Sequence, residues 1–315
     1  MKSKQQHKSI LIVKPEFSSD SKSEENFTLL KNTYIKHNID VHVINYEARP
    51  SYNQIQSQVK NQDAALLIGD AICFPKNALN FPFIKTIENR KIPIAWLPIR
   101  NSDDLLTFSK TINEVHGRKQ EQCAIALLSQ KHPRFVRIVD RMATILKSPS
   151  LRPYKWSSDL LLRESMIEGL ESGLGLATYF GHGRPIGWVG YYGLRSHHFE
   201  NKKAKPVGAL LSLCCKTASR KNTSISFCEQ LVLDGKTAVS FGAVDSTLHT
   251  DNTRWSVGIT KALLNGASTI AELIMQATPK NLSSYTHYRL IGDPLAPIYS
   301  SNETVLFAKN IKTYP

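Results

Sequence analysis

Leu176-Ala177-Thr178-Tyr179-Phe180-Gly181-His182-Gly183 is an apolar run that stops at a histidine held between two glycines. Ala209-Leu210-Leu211-Ser212-Leu213-Cys214-Cys215-Lys216-Thr217-Ala218 stops in the same way at a pair of cysteines. Each reads as a buried strand ending at a reactive side chain. In a parallel sheet the carboxyl ends of neighbouring strands open into one crevice. The two runs therefore bring an imidazole and a thiol to one sheet mouth, the raw material of a cysteine nucleophile.

The surrounding chain supplies such a sheet. Ile10–Val13, Val41–Ile44, Ala64–Ile68 and Ile92–Trp96 read as strands, with helical patterns at Glu24–His37 and Tyr52–Lys60 between them. A helix follows Ser102, a plausible N-cap with Asp103 and Asp104 in the first turn, and ends at Gly117. Beyond the polar stretch Arg118–Gln122 the alternation resumes: a strand at Ala124–Leu128, a helix at Arg134–Leu146, and a proline-bearing loop at Lys147–Pro153. Asp159 is expected to cap a helix that runs to about Glu171. After the histidine and cysteine strands come a strand at Thr237–Phe241, a helix from Asp251 or Asn252 to Gly266, and another from Ser268 to Thr278 before Pro279. Strand and helix alternating at this spacing give an α/β fold with a parallel-rich sheet flanked by helices. Two units are expected: a smaller α/β subdomain over 1–118, and a catalytic subdomain over 119–315.

Bulk composition narrows the function classes. The chain has 315 residues, 41% hydrophobic and 21% charged, with a formal net charge of +14. No apolar run approaches the ~20 residues that span a bilayer. Five cysteines (Cys73, Cys123, Cys214, Cys215 and Cys228) with no secretory leader pattern read as reduced thiols of a cytoplasmic protein. The positive charge favours acidic partners. Without a basic-aromatic stripe, zinc-finger spacing or glycine-rich phosphate loop, nucleic acid is not indicated as the main partner.

Cys214 and Cys215 are adjacent, so on a strand they point to opposite faces and only one can meet His182. Cys215, nearer the strand end, is the better nucleophile. Gly183 lets the backbone come close, and its amide can join that of Cys215 as an oxyanion hole. A zinc site from His182, Cys214, Cys215, His197 and His198 lacks gapped ligand spacing, so no metal or other cofactor is expected. No third catalytic residue stands out.

These segments resemble the gingipain family, within the caspase-like group of cysteine peptidases that includes caspases, legumain and separase. Members carry a strand ending in His-Gly and a later strand ending in the nucleophile, often written Ser-x-x-Cys-x-Thr-Gly in bacterial members. Laid on Ser212-Leu213-Cys214-Cys215-Lys216-Thr217-Ala218, that pattern makes Cys215 the nucleophile, with Ala218 in place of glycine. Leu66-Leu67-Ile68-Gly69-Asp70, Phe227-Cys228-Glu229-Gln230 with Gly235 and Thr237–Gly242, and Leu290-Ile291-Gly292-Asp293-Pro294-Leu295 are similar to other elements of the family. The likeness spans roughly residues 60 to 300. It implies a caspase-like fold and a cysteine endopeptidase that acts on protein or peptide substrates through an acyl-enzyme. It also implies that the loop after Thr237–Phe241 helps form the pocket for the residue before the scissile bond. There Asp245 could pair with lysine or arginine, while the chain's positive charge favours an acidic residue instead. Arg195–Lys205 is expected as an exposed loop beside the site. The alternatives are an inactive α/β protein that binds an acidic partner, or a different thiol hydrolase or transferase on the same sheet.

Overall fold

A computed structural model describes residues 8–312 apart from 18–19, 48, 75, 80, 202–203 and 279–286. Lys202, Lys203 and Pro279 thus lie outside the described residues. The first part of the chain forms β1 (Lys8–Pro15), β2 (Ile39–Tyr46), β3 (Ala64–Ile68), β4 (Phe83–Lys85) and β5 (Lys91–Leu97). It is followed by β6 (Cys123–Ser129), β7 (Leu151–Ser157), β8 (Leu176–Phe180), β9 (Gly183–Arg184) and β10 (Gly187–Trp188). The remaining strands are β11 (Val207–Leu213), β12 (Thr237–Ala243) and β13 (Tyr288–Gly292).

Except for the small hairpin β9–β10, these strands join one sheet of order β2-β1-β3-β5-β13-β12-β11-β8-β6-β7, with β4 added antiparallel to β5. The runs β2-β1-β3-β5 and β12-β11-β8-β6-β7 are each parallel. Between them β13 lies antiparallel to β12 and meets β5 through the pair Ile291 and Trp96. Alternate residues of each central strand serve opposite faces. Leu211 and Leu213 enter the largest core cluster, whereas Leu210 and Cys214 enter a second one. In the same way Ile10 and Ile12 part from Leu11 and Val13. Burial on both faces is why these strands read as continuous apolar runs.

Several helices start where a side chain satisfies their free N–H groups, although Arg163–Leu170 and His249–Leu264 have no side-chain cap. Asp20 caps the helix Ser21–Lys36 and accepts the N–H groups of Lys22 and Ser23. At the next site the expected cap moves by one residue: Asn101 is the cap of Ser102–His116, in a capping box with Asp104. Asp251 sits inside the first turn of the helix His249–Leu264 and is not its cap.

Three expectations need larger corrections. The loop foreseen at Lys147–Pro153 gives way at Leu151 to β7, an edge strand where Pro153 withholds no hydrogen bond the sheet needs. The helix expected from Asp159 starts at Arg163, because residues 158–160 form a turn and Leu162 is extended. The segment from Arg195 to Lys205 is only partly an exposed loop at the site. It contains a short 3-10 turn, buries Phe199, and ends with the Lys205 N–H bonded to the Glu171 carbonyl, near where β8 and β11 begin.

Candidate active site

Parallel pairing of β8 with β11 sets Phe180 opposite Leu213. His182 and Cys215 each lie two residues past that pair, at the carboxyl ends of neighbouring strands. Phe180 and Leu213 also share the largest core cluster, while Tyr179 and Cys214 both belong to the second. Strand alternation therefore directs His182 and Cys215 to one face and Cys214 to the other. Cys214 is fully buried, and burial pushes its thiol well above the usual range. Cys215 is only half-buried. Of the two adjacent cysteines, it is the one that emerges.

The Cys215 loop is stapled to the end of β12. The Lys216 and Ala218 N–H groups donate to the carbonyls of Asp245 (3.2 Å) and Ala243 (2.9 Å). Lys216 takes a left-handed backbone (φ +62°), a conformation costly for a side-chain-bearing residue. Thr247 grips the sulfur from above: its N–H lies 3.3 Å from Sγ, its carbonyl 3.6 Å and its hydroxyl 3.7 Å. That hydroxyl accepts from Asn252 Nδ2 at 3.2 Å, and Asn252 Oδ1 accepts from the buried Tyr288 hydroxyl. The loop from Gly242 to Thr247 was expected at the substrate pocket, but the grip of Thr247 on the sulfur was not. Asn252 and Tyr288 were not legible as site residues, since they reach Cys215 only through Thr247.

His182 is exposed, and its backbone N–H donates to Gln130 Oε1 at 2.9 Å. Its carbonyl accepts from the Tyr179 hydroxyl and the Val189 N–H. The ring stands edge-on to Phe135 with centroids 5.4 Å apart. The same phenyl ring contacts His249, two residues from Thr247, at 5.6 Å. Among the described residues no carboxylate bonds the His182 ring, so an apolar wall supplies its orientation. Nor do the described residues hold a group of three or more His, Cys, Asp or Glu side chains suited to a metal ion.

Gly183 is where the histidine and cysteine segments touch. A Cβ added there would lie 2.4 Å from the Cys215 carbonyl oxygen and 2.5 Å from the Cys214 sulfur. Gly183→Ala should therefore push the two segments apart. We expect turnover to fall about a hundredfold with the fold intact, because a misplacement near 1 Å is enough for that loss. Steady-state kinetics beside circular dichroism would check it.

Asp245 lies at the surface just past β12, where Oδ1 accepts the N–H of Ser246 at 2.7 Å. Among the described residues it forms no ion pair. Deeper behind the cysteine loop, Glu229 is fully buried. Its Oε2 accepts from Arg220 Nε at 2.9 Å and from the Ser226 N–H at 3.1 Å, and Arg289 Nη1 stands 4.0 Å from Oε1. Both guanidinium groups lie 5.1 Å from the Trp96 ring centroid. Burial pushes the Arg289 guanidinium down to about 10, with Glu229 as the main opposing influence. The neighbouring Cys228 N–H donates to the Thr217 carbonyl at 3.0 Å, which ties this cluster to the cysteine loop.

Residues 152–299 match the model of peptidase family C25. The C25 match takes in His182 and Cys215, and it bears out the gingipain resemblance read from the sequence. It supports a cysteine peptidase. Among solved structures, the Arg-specific cysteine proteinase gingipain R is similar with a TM-score of 0.70 at 13% identity, over 94% of this chain and 79% of that one. The complex of Porphyromonas gingivalis RgpB pro- and mature domains gives 0.65 at 14% identity, over 92% and 79%. The Saccharomyces cerevisiae separase–securin complex gives 0.51 at 15%, over 74% of this chain and 16% of that one. At such identities the shared property is the fold, which is caspase-like. No curated protein matches the chain by sequence. Among the described residues, no helix is long and apolar enough to cross a membrane.

Proposed function

We propose that the protein is a cysteine endopeptidase working through Cys215 and His182. The observation that carries this reading is the Phe180–Leu213 register, which sets both side chains at one sheet mouth on one face. The Cys215 sulfur attacks the scissile carbonyl, and the amides of Gly183 and Cys215 hold the oxyanion. The His182 imidazole takes the thiol proton and passes it to the leaving amine. Water then cleaves the thioester, with His182 as base, and regenerates the thiol. We place this chemistry in residues 119–315, with the described part of residues 1–118 as a smaller unit on the same sheet. Five free cysteines suit a reducing, cytoplasmic setting.

Asp245 is our candidate for substrate choice. An exposed carboxylate whose backbone braces Lys216 is placed to meet a lysine or arginine side chain before the cut. A positional-scanning peptide library should show Lys or Arg preferred there, with the preference flattened in Asp245→Ala. Preference for Asp or Glu would refute the assignment. Labelling by an irreversible peptidyl acyloxymethyl ketone tests the reaction itself. The adduct should map to Cys215 and be lost in His182→Ala.

A further inference from the structure

Phe135 and His249 flank the site and also mark the start of a groove leading away from it. The groove runs between the helices Pro133–Leu146 and His249–Leu264 and encloses about 480 Å³. Its floor is apolar: Ile138 and Met142 are buried, while Ile145, Val257 and Leu264 stay 46%, 45% and 51% exposed. Solvated side chains of that size in a row on one concave surface suggest a surface built to be covered.

The walls are basic. Arg134, Arg137 and Arg141 follow one another at roughly one-turn spacing along one helix, and Lys261 faces them from the other. All four are exposed, and none forms an ion pair among the described residues. Among the described residues no carboxylate lines the groove. The nearest acids on the two helices are engaged elsewhere, Asp140 with Lys155 and Asp251 with Arg254.

We propose that this groove docks an acidic amphipathic helix belonging to the protein substrate, and so holds the cleavable segment beside Cys215. The proposal rests on the peptidase reading of the site. Apolar floor and charged walls match a helix whose leucine-like face is flanked by Asp or Glu at each turn. A fatty acid or a lipid headgroup concentrates its charge at one end, whereas here cations are spread along the length. The 16 residues of His249–Leu264 make a groove wall about 24 Å long, room for a partner helix of about four turns. Recognition is thus divided: a basic residue at the cut and an acidic anchor in the groove.

The probe is a fluorescein-labelled peptide of about four helical turns, with a leucine face bordered by glutamates. Binding is read by anisotropy on the full chain carrying Cys215→Ala. We expect saturable binding that weakens with salt and falls about tenfold or more when Arg137→Glu and Arg141→Glu are combined. Val257→Glu, an exposed position, should weaken it as well. With the Cys215 chain, fusing the probe to a short cleavable peptide should lower KM about tenfold. The charge reversals should remove that gain while leaving turnover of the short peptide unchanged. Binding indifferent to the reversals, or confined to oleate or anionic vesicles, overturns the docking proposal. So does normal cleavage with no KM gain, and the peptidase reading then stands. Reversal-sensitive binding without cleavage of any peptide overturns the peptidase reading, and with it the assignment of the anchor to a substrate.

Discussion

Cys215→Ala should abolish peptide hydrolysis, lowering kcat by about a thousandfold or more, while Cys214→Ala should stay within a few-fold of the parent. The sulfur of Cys215 is the one reached by the Thr247 amide on the half-open side of the sheet mouth. Cys214 is sealed in the opposite core cluster, where we expect its loss to remove packing and not chemistry. We expect Cys214→Ala to lose about 1 kcal/mol of stability from the small void it leaves. Iodoacetamide at pH 8 gives an independent reading. Burial holds the thiols of Cys123 and Cys228 at about 12 and about 11, and that of Cys214 higher than usual, so these stay protonated and shielded. Peptide mapping should find Cys215 alkylated well before those three. Turnover lost in Cys214→Ala but kept in Cys215→Ala would reverse the assignment.

The second large effect is on stability. Glu229→Ala removes a fully buried carboxylate shared by Arg220, the Ser226 N–H and, at longer range, Arg289. Breaking such a buried pair from one side costs about 3–5 kcal/mol. We expect the lower end, about 3 kcal/mol, because Arg220 is partly exposed and can turn to water. Glu229→Gln can still accept the Ser226 N–H and should lose clearly less. Chemical denaturation of the three proteins would measure both. Equal stability of Glu229→Ala and the parent would show that the cluster contributes nothing.

The sequence made the central strands legible because burial on both faces leaves Leu66, Ile125, Leu211 and their neighbours in unbroken apolar runs. The histidine and cysteine could be placed because each stands two residues beyond such a run. β7 was hidden, since Arg152, Pro153 and Lys155 are tolerated only on an edge strand and read locally as a loop. The helix at Arg163 was placed too early because Asp159 has the chemistry of a cap yet sits in a turn. The grip of Thr247 on the sulfur and of Gln130 on the His182 backbone joins segments remote in sequence. No local pattern encodes those contacts. They are products of the assembled sheet.

That assembly has an order built into it. β13 is made after β12 yet lies at the centre of the sheet, between β12 and β5. Until Tyr288–Gly292 leaves the ribosome, β12 presents an unpaired edge and β5 one that β4 covers only in part, at a stage when the growing chain already carries its other strands. At about 5–20 residues per second, the nascent chain spends several seconds in that state. A chain cut short before Tyr288 would keep β12 as an open edge, free to pair with that of another copy. The same strand that joins the halves in the finished molecule makes the unfinished one prone to aggregate, so a chaperone's protection would matter most in that interval.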